Sequence, residues 1–181
     1  MTRPARLPLF AVIAVATAIA VACSSDRSKQ EAKAVELTGL VNYGPQLRDH
    51  VDSNVTYAQT PPVGGTHNPT WQNCGVYAEP IRKELGVHSM EHGAVWITYR
   101  PDLPAAAVDT LRALVRGWPY ALLSPYPELP SPVVASAWGL QMRVDAVGDP
   151  RLATFLSRYV NGMQTPEPGA PCSNGEGKPI G

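Results

Sequence analysis

Two histidines in the segment 88–93 are the residues whose type and spacing most favour chemistry. His88 and His92 are four positions apart, and Met90 lies midway between them. On an extended strand all three side chains would point to one face. On a helix His88 and His92 would share a face and Met90 would turn away. Two imidazoles and a thioether together form a ligand set that suits copper.

The residues that follow favour an extended backbone through this segment. Gly93 leads directly into 94–99, a run rich in β-branched and aromatic residues. Such a run is typical of a strand. We therefore predict a strand, or the loop that enters one, over 88–92, with both histidines and Met90 on the same face.

The two remaining histidines lie upstream. His67 belongs to the segment 60–69, which contains the pairs Pro-Pro, Gly-Gly and Asn-Pro. Each pair marks a turn, so an ordered loop would hold His67 in a definite place. Neutral imidazoles bind copper and zinc, and a thioether biases the choice towards copper. We predict a site for one copper or zinc ion, with these candidate ligands: His67, His88, His92, His50 and Met90.

Two other functions compete with simple metal binding. The pattern H-x-x-E-H over 88–92 matches the inverted zinc-peptidase motif, in which the glutamate activates a metal-bound water. That zinc-dependent hydrolase would need a helix and a downstream acidic ligand, so the predicted strand argues against an enzyme. The other alternative is a non-catalytic, tethered interaction module whose histidines are structural. An exposed cluster of Trp71, Tyr77 and Tyr126 would favour that module.

The N-terminus has the pattern of a targeting segment. Arg3 and Arg6 precede the apolar run 7–22, which is short for a membrane span and suits a signal peptide. Three small or apolar residues, 20–22, then precede Cys23. This arrangement resembles a bacterial lipobox, in which the cysteine is lipidated and becomes the new N-terminus. An ordinary signal peptide and an uncleaved anchor are the alternatives.

These features predict three parts of the chain: a signal peptide over 1–22, a lipidated cysteine with a flexible tether over 23–36, and a single globular domain over 37–181. The domain would be extracytoplasmic, anchored to the cell membrane by lipid, and monomeric. Charge is balanced, with 15 basic and 15 acidic residues, and no basic patch is interleaved with aromatics. A nucleic-acid partner is therefore not expected, and no protein partner is indicated.

The remaining cysteines predict a disulfide bond. With Cys23 lipidated, Cys74 and Cys172 are left as a pair in an oxidising compartment, where oxidation is the default. The bridge would fix the Gly/Pro-rich tail to the domain. The alternative is that Cys74 is a thiolate metal ligand or a reactive thiol.

Hydrophobic periodicity predicts two helices. The first has Pro104 in its first turn and ends at Gly117; the second is capped by Asp149 and ends at Gly162. Their apolar residues recur at the 3.6-residue period. These residues are Val108, Leu111, Leu114 and Val115 in the first helix, and Leu152, Phe155, Leu156, Tyr159 and Val160 in the second.

Extended segments alternate with these helices. We predict strands over 94–99 and 120–124, then over 133–138 and 140–144, the last two as one strand interrupted at Gly139. The core order is β-α-β-β-α, with strands joined through a helix as parallel neighbours. The fold class is α+β: a small mixed sheet with two helices on one face, in a thioredoxin-like or ferredoxin-like arrangement, preceded by a long Pro/Gly-rich irregular segment. Thioredoxin chemistry is not expected, because the chain has no Cys-x-x-Cys.

Several motifs together resemble one bacterial family, the domain of unknown function 3105. They are PPVGGTHNP at 61–69, WQNCGVY at 71–77, VHSMEHGAVWI at 87–97, LLSPYP at 122–127 and WG at 138–139. The resemblance covers roughly 37–175 and implies an exported, often membrane-tethered domain without implying an activity. It also implies that all four histidines, Cys74 and Cys172 are shared, and that Leu is frequent at position 90. The histidines are therefore better candidate ligands than Met90.

Overall fold

The computed structural model of this 181-residue chain describes residues 35–180 together with Met1. The predicted signal peptide, the lipidation site at Cys23 and nearly all of the tether lie outside the described residues. Within the described part, no helix has both the length and the apolar character needed to cross a membrane.

The described residues form six strands and three helices, followed by an irregular tail. In chain order these are β1 Val41–Asn42, β2 Gly75–Val76, α1 Lys83–Glu91, β3 Val95–Tyr99, α2 Ala105–Val115, β4 Ala121–Pro125, β5 Val133–Ala137, β6 Leu140–Val144 and α3 Pro150–Tyr159.

All six strands belong to one mixed sheet, in the order β1-β6-β5-β3-β4-β2. The parallel pairing of β3 with β4, joined through α2, is confirmed, and β5 runs antiparallel to β3. The predicted α+β class is therefore correct. Because β3 and β4 are adjacent, they do not form the split β-α-β unit of a ferredoxin-like sheet. Of the two expected arrangements, the thioredoxin-like one fits.

The extended segment 133–144 is a hairpin of two strands. Ala137 pairs with Leu140 across a turn formed by Trp138 and Gly139. Gly139 has a φ of 72°, a left-handed conformation that glycine adopts without steric cost. The glycine that suggested an interrupted strand is thus the point where the chain reverses.

Helices α2 and α3 cover one face of the sheet, as predicted. Val108, Leu111 and Val115 of α2 pack in the same core as Leu152 and Phe155 of α3, against alternate residues of the central strands. This regular burial explains why both helices were recognisable from periodicity. Helix α3 begins where expected, since the Asp149 side chain accepts a hydrogen bond from the Arg151 N–H at 2.9 Å.

The opposite face is covered by α1, which the hydrophobic pattern does not predict, so the predicted number of two helices is too low. The predicted strand over 88–92 is wrong, because these residues form the end of α1 and its C-cap. Residues 84–91 are all buried, so the helix shows no amphipathic pattern. A Cβ on Gly86 would lie 2.9 Å from the Trp96 ring, which shows how closely α1 approaches the sheet. Gly93, with a φ of 113°, then redirects the chain into β3.

The predicted disulfide joins Cys74 to Cys172, with Cα atoms 5.3 Å apart. The Cys74 N–H also donates to the Cys172 carbonyl at 2.7 Å. The alternative assignment of Cys74 as a thiolate ligand is therefore wrong. The bridge fixes the tail across the same face that α1 covers, and this brings the carbonyl of Pro171 to the end of α1.

Candidate metal centre

Four side chains from three separate segments converge beside α1. His88 and Glu91 are one turn apart on the same side of the helix, while His67 and His50 come from the irregular N-terminal segment. Each offers one ligand atom, and these four atoms all lie within 4.8 Å of one another. A group of three imidazoles and one carboxylate at this spacing could hold a metal ion.

Backbone pairing places His50 and His67 side by side. The His67 N–H donates to the Asp49 carbonyl at 2.9 Å, and the Val51 N–H donates to the His67 carbonyl at 2.7 Å. The loop carrying His67 is tied in turn to the β5–β6 hairpin, because the Gly139 N–H donates to the Val63 carbonyl at 2.7 Å. These hydrogen bonds fix the turn-rich loop, and they hold His67 in a definite place.

Three of the histidine rings are oriented by backbone carbonyls through Nδ1. Because a carbonyl only accepts, the ring proton must be on Nδ1, which leaves the Nε2 lone pair free in a neutral imidazole. Metal-binding histidines are commonly held in this way. The three pairs are His67 with Gly65 at 2.7 Å, His88 with Asn68 at 2.6 Å and His92 with Pro171 at 2.6 Å.

The Nε2 atoms of these rings face other electron-pair donors. His88 Nε2 lies 2.9 Å from His92 Nε2, and His67 Nε2 lies 3.0 Å from Glu91 Oε2. If each ring is neutral with its proton on Nδ1, both contacts bring lone pairs together. Only an added proton or a metal ion between the atoms converts this repulsion into attraction.

Burial opposes the extra protons. It lowers the pKa of His67, an effect that the hydrogen bond to Gly65 and the charge of Glu91 only partly reverse. Burial likewise lowers the pKa of His88 to about 4. The hydrogen bond to Asn68 raises this pKa, and the neighbouring imidazoles lower it further. Both rings are therefore neutral near pH 7, in the form that binds metals.

Glu91 supplies the negative charge of the group. Burial raises its pKa, but the hydrogen bond from Arg48 Nε at 2.6 Å and the nearby positive charges outweigh that effect, so the pKa is lowered. Glu91 is thus a buried carboxylate. Arg48 also donates to Glu167 at 2.8 Å, and so links α1 to the tail.

His92 lies beside the four-residue group without belonging to it. Its Nε2 contacts His88 and lies 3.8 Å from Glu167 Oε2. The Trp71 ring packs against both histidines, with centroids 5.8 Å from His88 and 5.1 Å from His92. The structure thus brings together all four predicted histidines, with His92 at the margin.

Met90 lies away from the histidines. It is fully buried in a hydrophobic cluster with Val87, Trp96 and Leu122. Met90 was expected to share a face with His88 and His92 because a strand was predicted, and on the observed helix it points to the sheet. The predicted strand also excludes Glu91 as a ligand, because it puts Glu91 on the face opposite to His88. On a helix, the i,i+3 spacing of these two residues identifies Glu91 as a candidate ligand.

The aromatic residues do not form the exposed cluster that an interaction module would require. Tyr77 is buried and its hydroxyl donates to the Asn73 carbonyl at 2.6 Å. Tyr126 and Trp71 are half-buried, the former against Trp96 and the latter against the histidines. These side chains pack within the domain.

Comparison with known proteins identifies a family. No curated protein and no solved structure shows significant similarity to the chain. The family described as "Protein of unknown function (DUF3105)" matches residues 50–174, well over half of the chain. This range begins at His50 and includes the whole histidine–glutamate group and both bridged cysteines. The chain therefore belongs to the DUF3105 family.

Proposed function

We propose that this protein binds one transition-metal ion through His50, His67, His88 and Glu91. The observation that carries the proposal is that nitrogen and oxygen atoms with lone pairs lie at hydrogen-bonding distance from one another, with no proton between them. His88 Nε2 and His67 Nε2 each face another donor atom within 3.0 Å, while their Nδ1 protons are committed to carbonyls. A cation bound by the four ligands would accept the lone pairs of His67 Nε2, His88 Nε2 and the Glu91 carboxylate at once.

The ligand chemistry favours zinc or copper(II) over copper(I). Three imidazoles and a carboxylate are borderline and hard donors, which suit divalent ions. The thioether of Met90, which favoured copper when the sequence alone was considered, packs against the sheet. Cys74 is bridged to Cys172, so no thiolate is available from either residue.

We also propose that the domain is extracytoplasmic and attached to a membrane by lipid on Cys23. The basic residues, the apolar run and the small residues before Cys23 support this location. The Cys74–Cys172 bridge is consistent with an oxidising compartment. A Cys23→Ser variant is expected to move from the membrane fraction to the soluble fraction of its host. Unchanged membrane attachment would contradict lipidation at this cysteine.

A zinc-dependent hydrolase is the second candidate, and helix α1 is the observation that favours it. The peptidase motif is helical, and here His88 and Glu91 lie in the last turn of α1 with His92 as its C-cap. Binding without hydrolysis remains our first proposal, because Glu91 would be a ligand of the ion while its Oε1 accepts a hydrogen bond from Arg48, so the carboxylate is not free to activate water. Cleavage of a peptide substrate by the zinc-loaded chain, abolished in Glu91→Gln, would favour the hydrolase instead.

Two buried glutamates of α1 provide a matched test of metal binding. Glu91 belongs to the group, whereas Glu84 accepts a hydrogen bond from the Val55 N–H at 2.9 Å and lies two turns earlier. The metal-free, full-length chain in mild detergent would be titrated with zinc and copper(II), and its metal content measured after desalting. We expect one ion per chain, and an affinity at least about 10-fold lower in Glu91→Gln but unchanged in Glu84→Gln.

A variant that replaces both His67 and His88 by glutamine completes this test. Loss of both imidazoles is expected to abolish stoichiometric binding, while circular dichroism reports whether the fold is kept. Equal metal content in the wild type and in this folded double variant would overturn the proposed function.

A further inference from the structure

The four proposed ligands differ greatly in their exposure to solvent. The side chains of His67 and Glu91 are 0% and 1% exposed, and His88 is similarly buried. The His50 side chain is 44% exposed. An ion held by this group would therefore be accessible from one direction, past His50.

The ligands also differ in how they are held. His67 and His88 each donate Nδ1–H to a backbone carbonyl, and Glu91 is held by Arg48. Among the described residues, the His50 ring has no such backbone partner; it stacks on His88 with centroids 4.9 Å apart. Its Nε2 lies 3.6 Å from Glu91 Oε2. The ring can thus rotate towards solvent without breaking a hydrogen bond.

The backbone at His50 need not move for this rotation. The flanking residues Asp49 and Val51 are both paired with the backbone of His67. These bonds fix the Cα of His50 and leave its two side-chain torsions free. Departure of the ring is therefore a local event, separate from unfolding of the loop.

We propose that His50 is the exchangeable ligand of the centre, and that the protein passes its ion to an acceptor carrying anionic chelating groups. This inference rests on the proposed metal-binding function. An anionic donor is favoured by the positive charge of the ion itself, since Arg48 is already paired with Glu91 and Glu167.

The exchange needs no oxidant or reductant. The bond between the ion and the His50 nitrogen breaks, and the nitrogen keeps its electron pair. A carboxylate of the acceptor then donates an electron pair at the vacated position, while the three buried ligands still hold the ion. Further donors of the acceptor replace those ligands in turn, and the oxidation state of the ion does not change.

Stopped-flow transfer of zinc tests this role. The zinc-loaded, full-length chain would be mixed with increasing concentrations of a coloured anionic chelator, pyridylazo-resorcinol. In the wild type the transfer rate should rise and then reach a plateau, because departure of His50 becomes limiting. In His50→Ala the plateau should disappear, with transfer at least about 10-fold faster at high chelator concentration. His50→Gln serves as a second variant if the alanine variant does not fold.

Glu91→Gln is the control that separates exchange from weaker binding. Its affinity is also expected to fall, but His50 is intact, so the plateau should remain. A plateau at the wild-type rate in both His50 variants would overturn this inference while leaving metal binding in place. Failure of the wild type to retain any zinc on loading would overturn the proposed function and this inference together.

Discussion

Mild acid should destabilise the metal-free protein through His88. Burial and the neighbouring imidazoles lower the pKa of this residue to about 4, from the ordinary value of 6.5 that applies to the unfolded chain. Between these two values the unfolded state binds more protons than the folded state. The folded state therefore has its full stability above about pH 6.5 and loses stability as the pH falls towards about 4.

The expected loss is large for a single side chain. The difference between the two pKa values corresponds to about 3 kcal/mol in the free energy of unfolding, at up to about 1.4 kcal/mol for each pH unit. His88 is only 5% exposed, so solvent screening reduces this figure little. The pKa of His67 is lowered for the same reason, and its contribution has the same sign.

Urea denaturation of the metal-free chain between about pH 5 and 6.5 would measure this effect, because carboxylates titrate mainly below that range. The free energy of unfolding should fall with decreasing pH in the wild type. In His88→Gln the free energy of unfolding should change less with pH, because up to one fewer proton is taken up on unfolding, which corresponds to up to about 1.4 kcal/mol per pH unit. Identical slopes in the two proteins, or a wild type that becomes more stable in acid, would refute the assignment of His88 as a buried neutral imidazole.

Three further predictions concern the structure that supports the centre, and urea denaturation at neutral pH measures each. Gly86→Ala should lower the free energy of unfolding by about 1–3 kcal/mol, because the added methyl group would lie 2.9 Å from the Trp96 ring. Replacing Cys74 and Cys172 together by serine should cost about 2–5 kcal/mol, and no loss would show that the bridge does not constrain the tail. Asp149→Ala should cost about 1 kcal/mol by removing the cap of α3; an unchanged midpoint would contradict the cap.

The elements on one face of the sheet could be predicted because their burial is periodic. Helix α3 alternates buried and exposed residues at helical spacing and begins with Asp149-Pro150 as predicted; it ends at Tyr159, three residues before Gly162. Strand β3 is a run of β-branched and aromatic residues that is buried at every position, as expected for a central strand covered on both faces. Each of these signals is local, so the sequence is sufficient to read it.

Helix α1 could not be recognised in the same way. It is short, has Gly86 in its interior and is buried along nearly its whole length, so neither propensity nor periodicity identifies it. Its conformation is set by contacts from outside the helix. The Ser89 hydroxyl, for example, donates to the Gln72 carbonyl at 2.7 Å, a residue 17 positions earlier. Which residues share a face with His88 depends on whether this segment is a strand or a helix. The predicted strand therefore includes Met90 among the candidate ligands and leaves out Glu91.

The buried polar residues of α1 fall into two chemical classes. Glu84 and Ser89 have partners that match them: a backbone N–H and Arg82 for the carboxylate, and backbone carbonyls for the hydroxyl. Such satisfied groups stabilise the fold without further ligands. His88 is different, because its Nε2 lone pair faces the Nε2 of another imidazole.

Burial of polar atoms without matching partners is costly, so its persistence at one point in a fold indicates a function. Polar groups with matching partners and polar groups without them lie close together on the nine-residue helix α1. Loose packing of the whole helix therefore does not explain the unmatched groups. On α1 the mismatch lies at His88, whose Nε2 faces His92 Nε2, and at Glu91, whose Oε2 faces His67 Nε2. In both contacts the facing atoms carry lone pairs, so a partner that satisfied them would carry positive charge. Near pH 7 the lowered pKa values of His67 and His88 disfavour a proton on either ring, which supports the metal ion that we propose as the partner of these atoms.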